Sequence, residues 1–201
     1  MIKITPAAAL TTLIAAALLA VSLPACKGRF KKKGSADVST DLSKLPGINA
    51  GAGTFSLLAP NGWRNYDTTL NGIKFRFIQA PRTLNPHFTP NMNIFSEKIS
   101  EGVLDAYFNG VHLGARKSID YEEIGSGTRK IDGRTARWLQ YSSTSKGGTH
   151  MEIIFTAMIA DGICYNITMA TARGEMVKYK PSFDTVLNSL KIGRPTPERV
   201  R

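Results

Sequence analysis

Asp132-Gly133, Lys146-Gly147-Gly148 and Asp161-Gly162 punctuate the chain at intervals of about 15 residues. Asp-Gly tolerates the positive φ that two-residue hairpin turns demand, so each dipeptide predicts a tight reversal. The three turns divide 120–171 into four strands: Tyr121–Ile131, Arg134–Ser143, Thr149–Ala160 and Ile163–Thr171. Connections this short leave no room for a parallel crossover, and the four strands form an antiparallel meander. Thr149–Ala160 is apolar on both sides, with Met151, Ile153, Phe155, Ala157 and Ile159 opposite Ile154, Met158 and Ala160. Such a strand needs cover on both faces and belongs inside a layered domain.

Upstream, Thr54–Ala59, Ile73–Gln79 and Asn93–Ile99 read as three more strands. Pro81, Pro86 and Pro90 exclude regular structure between the second and third. Two helices follow from apolar spacing. Ser100 caps Glu101 to His112, whose stripe is Val103, Leu104, Tyr107, Phe108 and Val111, and Gly114 suits its stop. Pro181 opens the second, with Phe183, Val186, Leu187 and Leu190 on one side and a close near Gly193. The order βββ-α-ββββ-α is that of an α+β domain.

The N-terminus carries an address. Lys3 precedes an uncharged run, Ala7 to Val21, which has the length of a signal-peptide core and is short for a membrane span. Leu23-Pro24-Ala25-Cys26 resembles the lipobox of bacterial lipoproteins. The resemblance implies diacylglycerol on the Cys26 thiol, cleavage before it, and anchoring in a membrane; the alternative is an ordinary signal peptide cut near Ala25. Lys27 in the next position favours, by analogy, the periplasmic face of the outer membrane in a Gram-negative cell. Lys27, Arg29, Lys31, Lys32 and Lys33 would lie against an anionic bilayer, or form a solvated tether. The expected organisation is a signal peptide over 1–25, a lipidated Cys and flexible basic linker over 26–52, a domain over 53–193 and a disordered tail over 194–201.

The net charge of +11 has a location. Residues 1–46 hold seven basic and two acidic residues, 194–201 three and one, and 47–193 sixteen and twelve. More than half of the excess lies outside the domain, which argues against nucleic acid as a partner. Two cysteines exclude a disulfide scaffold and any multi-cysteine metal site.

The domain resembles the PsbP-like family, whose fold is shared by the Ran-binding Mog protein and by bacterial lipoproteins such as DcrB and LpqN. The residues carrying the likeness are Phe55, Pro60, Gly62 and Trp63 in a first strand with its turn, and Asn93 and Ile94 in the third. Gly133, Ala136, Leu139 and Tyr141 mark a later strand, and Gly162, Tyr165, Ile167 and Thr168 another. Phe183, Val186, Leu187, Ser189 and Leu190 mark the closing helix. The resemblance implies an α/β/α sandwich around a mostly antiparallel sheet of about six or seven strands. It also implies a non-catalytic binding or assembly role in the envelope, with no cofactor.

No reactive constellation assembles from the sequence. Cys164 sits in an apolar strand with no histidine near it in sequence, which suits a buried, inert thiol. His87, His112 and His150 could meet only through folding, so no metal is expected. Glu122 and Glu123 point to opposite faces of a strand. Gly125-Ser126-Gly127 lacks the strand-to-helix setting of a nucleophile elbow. Trp138 lies under a helix or in a cleft. The candidate partner-binding residues are Trp63, Arg82, His87 and Phe88, on the turn and the proline-rich loop, where rigid sheets collect binding residues. The competing readings place Trp63 in the core and tuck Phe88 into its edge. The function expected is that of a lipid-anchored envelope module binding a protein partner. The alternative is a small-ligand carrier with a cleft between sheet and helix.

Overall fold

A computed structural model describes residues 48–49, 53–70, 73–81, 88–99 and 104–193. The signal peptide, Cys26, the linker apart from Ile48–Asn49, the tail, Arg82 and His87 lie outside the described residues.

The elements run β1 (Ile48–Asn49), β2 (Thr54–Ser56), β3 (Arg64–Leu70), β4 (Ile73–Gln79), β5 (Asn91–Lys98), α1 (Leu104–Ala115), β6 (Ile119–Ile131), β7 (Arg134–Thr144), β8 (His150–Ala160), β9 (Ile163–Ala172), α2 (Met176–Ser189) and β10 (Lys191–Ile192). Seven strands form one sheet in the order β3-β4-β5-β9-β8-β7-β6, antiparallel at every junction. β1, β2 and β10 make a small second sheet.

The glycine turns set the meander as expected. Asp132 and Gly133 have φ of 48° and 75°, Asp161 and Gly162 of 52° and 72°, the paired positive values of a type I′ hairpin. At the wider turn, Gly148 N–H donates to Ser145 O at 2.9 Å with φ of 79°. Each turn fixes register, and register decides which side chains share a face.

β8 is covered on both sides. Ile154 and Met158 join Met92, Ile94, Tyr165, Ile167 and Met169 beneath Met176, Phe183, Val186 and Leu187 of α2. Met151, Ile153, Phe155 and Ala157 join Leu139, Tyr141, Cys164 and Ala170 beneath Phe108, Val111 and Ala115 of α1. The domain is therefore an α/β/α sandwich, with an α1 face and an α2 face to its main sheet.

Four points of the sequence reading need correction. Strand β3 was not expected, because Arg-Asn-Tyr-Asp-Thr-Thr-Leu has no apolar alternation. It is an edge strand held by seven paired residues of β4 and by Arg76, which reaches Asn65 Oδ1 at 2.8 Å and Asp67 Oδ1 at 2.7 Å. The expected first strand, Thr54–Ala59, is shorter and belongs to the small sheet. Pro181 does not open the second helix. α2 begins five residues earlier, because Met176 is buried and Tyr179 packs on the same cluster, extending the apolar stripe back by two turns. That burial outweighs the lost Pro181 hydrogen bond, and Thr185 Oγ1 donates to Pro181 O at 2.9 Å. Gly114 likewise lies inside the last turn of α1 rather than after it.

Candidate functional site

The turn before β3 is built by Pro60 to Trp63: Trp63 N–H donates to Pro60 O at 3.0 Å and Gly62 takes φ of 78°. The Trp63 indole meets Phe183 edge-on at 5.7 Å and Tyr179 at 6.2 Å, half-buried against α2. Phe88 is 4% exposed and packs with Phe108 and Val111 in the α1-side core. It therefore occupies the core-edge position and presents no ring to the surface. Trp138 is half-buried on the β6–β7 pair. Its ring runs along the β6 backbone at Gly125 and Gly127, where an added Cβ would stand 3.4 Å and 3.2 Å from it. The two glycines are thus the seat of the indole, covered by the tryptophan across the strand pair.

The histidines do not converge. His112 Nε2 lies 2.9 Å from Glu123 Oε2, tying α1 to the β6 edge. Although desolvation pushes upward, hydrogen bonds from Ser126 and His112 and the charge of His112 hold the Glu123 carboxyl below its usual range. His150 Nδ1 lies 2.8 Å from Thr144 Oγ1, which also donates to Asp120 Oδ2 at 2.7 Å. Among the described residues no three His, Cys, Asp or Glu side chains cluster as a metal site. Glu123 stands opposite Tyr141 and Glu122 opposite Ser142, so the two carboxylates face away from each other.

The α1 face holds a polar group that the sequence reading passed over. Tyr107 of α1 donates its hydroxyl to Glu97 Oε1 at 2.5 Å and lies 3.0 Å from Asn166 Oδ1. Asn166 Nδ2 donates to the same Glu97 oxygen at 3.2 Å, and Cys164 Sγ lies 3.7 Å from Asn166 Oδ1. Burial first, then the neighbouring Cys164 and Glu97, push the Tyr107 phenol far above its ordinary value. Burial, and then Glu97, do the same to the Cys164 thiol, which stays protonated and is no nucleophile. This hydrogen-bonded group ties α1 to β5 and β9.

Farther along the same face, Asn91 and Asn93 are buried and incompletely satisfied. Asn91 Nδ2 donates to Thr89 O at 3.0 Å, which leaves Oδ1 without a donor. Asn93 is 0% exposed, and neither its Nδ2 nor its Oδ1 has a partner. Asn93 stands opposite Phe77 on β4 and Thr168 on β9, so its side chain shares their face. Phe75, Phe77 and Phe95 form a separate buried cluster there, with Phe75 and Phe95 centroids 5.2 Å apart and Tyr66 stacked on Phe77 at 5.8 Å. Two asparagines spaced by two in an apolar strand, Asn91-Met92-Asn93, were the sequence signal for this patch.

No protein-family model matches the chain, and no match is found among curated proteins. Solved structures do match. LpqN of Mycobacterium tuberculosis, described as involved in cell envelope biogenesis, is 13% identical, with a TM-score of 0.60 over 75% of this chain and 87% of its own. PA94 of Pseudomonas aeruginosa, a protein of unknown function, is 12% identical, with a TM-score of 0.50 over 66% of this chain and 99% of its own. The cyanobacterial PsbP of Synechocystis, at 15% identity, has a TM-score of 0.45 over 83% of this chain and 100% of its own. At such identities the likeness is one of fold. The α/β/α architecture implied by the sequence resemblance is the one LpqN has.

Proposed function

We propose that this LpqN-like domain is a non-catalytic binding or assembly module, carried at the bacterial envelope by a lipid on Cys26. The observation that supports the reading best is the shared fold with an envelope-biogenesis protein. The lipobox-like Leu23 to Cys26 supplies the anchor. No helix of the described residues is long and apolar enough to cross a membrane. In this reading Phe88 anchors the proline-rich loop from below, and Arg82, His87 and the exposed edge of Trp63 contact an envelope protein.

Metabolic labelling with an alkyne analogue of palmitate tests the anchor. The intact chain takes up label and fractionates with membranes, and Cys26→Ala loses both; label that survives in Cys26→Ala overturns it. Proximity labelling from the intact chain in its own cell tests the contact. Arg82→Ala with His87→Ala should remove the labelled envelope partners, and an unchanged set overturns the role of the loop.

A further inference from the structure

β6 is the outermost strand of the main sheet, and among the described residues only β7 pairs with it. Its outer edge presents backbone N–H and C=O groups that another strand can take up. The strand runs 13 residues without a proline, whereas β3 at the opposite edge runs 7. An edge is usually blunted by shortness, by proline, or by charge that repels a second copy. β6 carries charge of both signs, and the charge is sorted. Asp120, Glu122 and Glu123 stand in its first half, Arg129 and Lys130 near its end, and Ile124-Gly125-Ser126-Gly127-Thr128 between them is uncharged.

A strand sorted in this way is complementary to itself run backwards. Parallel pairing sets like charges together, whereas antiparallel pairing about a two-fold axis sets the acidic half of one copy beside the basic end of the other. The faces agree with this. Glu122 stands opposite Ser142 and Arg129 opposite Ala136, so both side chains lie on the α2 face. Glu123 stands opposite Tyr141 and Lys130 opposite Thr135, so both lie on the α1 face. The irregularity between Glu123 and Gly125 brings this about, because in an unbroken strand Glu123 would share its face with Arg129. An axis through Ser126 then sets Glu122 of one copy opposite Arg129 of the other, Glu123 diagonal to Lys130, and Gly125 opposite Gly127. The charged groups keep capacity for these contacts. Glu122 is 63% exposed beside Arg173, and Glu123 is 37% exposed beside His112. Lys130 reaches Thr135 Oγ1 at 2.8 Å, and Arg129 gives one nitrogen to Asp184 at 3.1 Å. A carboxylate accepts several hydrogen bonds and a guanidinium has five N–H donors, so none of these groups is used up.

We propose that the outer edge of β6 is a self-association site, at which a second copy of this chain adds its own β6 antiparallel and joins two seven-stranded sheets into one. The contact is edge to edge and small, so the dimer dissociates on dilution. It uses neither Cys26 nor the proline-rich loop and stands or falls apart from them.

Charge reversal tests it. Sedimentation of the full chain over a range of concentrations should show a monomer–dimer equilibrium. Glu122→Lys or Arg129→Glu alone should weaken the dimer by about tenfold or more, since either change sets two like-charged pairs across the axis. An equimolar mixture of the two variants should restore it, because the reversed charges then complement each other. A monomer at every concentration, a dimer indifferent to both reversals, or a mixture no stronger than its components overturns the proposal. Arg129 also holds Asp184, so a second measurement leaves it in place. Ser126→Cys puts a thiol on the axis, facing its own copy, and mild oxidation should give a disulfide-linked dimer on a non-reducing gel. Thr135→Cys, exposed on β7 and away from the edge, should not. No cross-link through Ser126→Cys, or equal cross-linking of the two variants, overturns the proposal as well.

Discussion

The two central strands show one backbone dressed in two ways. Toward α2, β5 presents Met92 and Ile94, and β9 presents Tyr165, Ile167 and Met169, all in one apolar cluster. Toward α1, the same strands present Asn91, Asn93, Cys164, Asn166 and Thr168. Both sets are buried. The α2 side gains its stability from area removed from water and close packing. The α1 side gives up part of that gain to bury amides. Fold maintenance explains the first set and, of the second, Asn166, which is bonded to Glu97. Tyr107, Glu97 and Asn166 are hydrogen-bonded to one another, whereas Asn93 has no partner. Close packing therefore belongs to the α2 side, and side-chain hydrogen bonding to the α1 side.

The largest effect should come from the apolar side. Phe183 is fully buried under Trp63 and among the sheet methionines. Phe183→Ala should cost about 3–5 kcal/mol by denaturant titration, from lost transfer energy and the cavity left behind. A loss below about 1 kcal/mol would mean that the α2 layer is not the structural one.

Next comes the hydrogen-bonded group on the other side. Tyr107→Phe removes the short hydrogen bond to Glu97 and keeps the ring packing. A bond to a charged group is worth about 1.5–3 kcal/mol, and the loss should be of that size. It should also loosen the α1 attachment, seen as faster amide exchange in α1 than in α2. Equal protection of both helices would remove the distinction between the layers.

A smaller effect attaches to Asp132, at the tip of the β6–β7 hairpin. Its carboxylate accepts from Ile192 N–H at 3.1 Å, Lys191 at 3.2 Å and Arg134 at 2.9 Å, closing the small sheet onto the main one. Desolvation pushes its pKa up, but these donors and charges more than offset it and leave it below the ordinary 3.8. A depressed carboxylate stabilises the fold above its unfolded pKa and loses that contribution as pH falls through the folded one. Stability should therefore decline as pH drops below about 4. Asp132→Asn keeps the positive φ of the turn, flattens that decline, and costs about 0.5–1 kcal/mol at neutral pH, as ion pairs open to solvent do. A variant with an unchanged acid limb would show that Asp132 carries no linkage.

How much of this was legible in the sequence follows from range of interaction. The hairpins were, because Asp132-Gly133 and Asp161-Gly162 dictate local φ regardless of what packs above them. The two-sided burial of β8 was, because alternation is a local count. β3 was not, since its strand state comes from β4 and from Arg76 rather than from its own polar residues. The start of α2 was not, because Met176 and Tyr179 become a helix face only against Trp63 and the sheet. Phe88 in a proline-rich segment carried no sign of the core it enters. Asn93 was legible as a strand residue of the family resemblance but not as an unpaired one, since neighbours as far away in sequence as Thr168 decide satisfaction.

The smallest expected effect is the most informative in sign. Leu shares the branched outline of Asn but is larger, and Asn93 makes no hydrogen bond to lose. Asn93→Leu should be neutral or raise stability by up to about 1 kcal/mol, because two uncompensated polar atoms leave the interior. The same change at Asn166, which holds Glu97, should destabilise by about 1–3 kcal/mol, since it leaves a carboxylate short of a donor. Opposite signs at two buried asparagines on one face would separate an amide kept for the fold from one the fold does not need. A loss at Asn93 as large as that at Asn166 would place both in the fold and return the α1 side to the same standing as the α2 side.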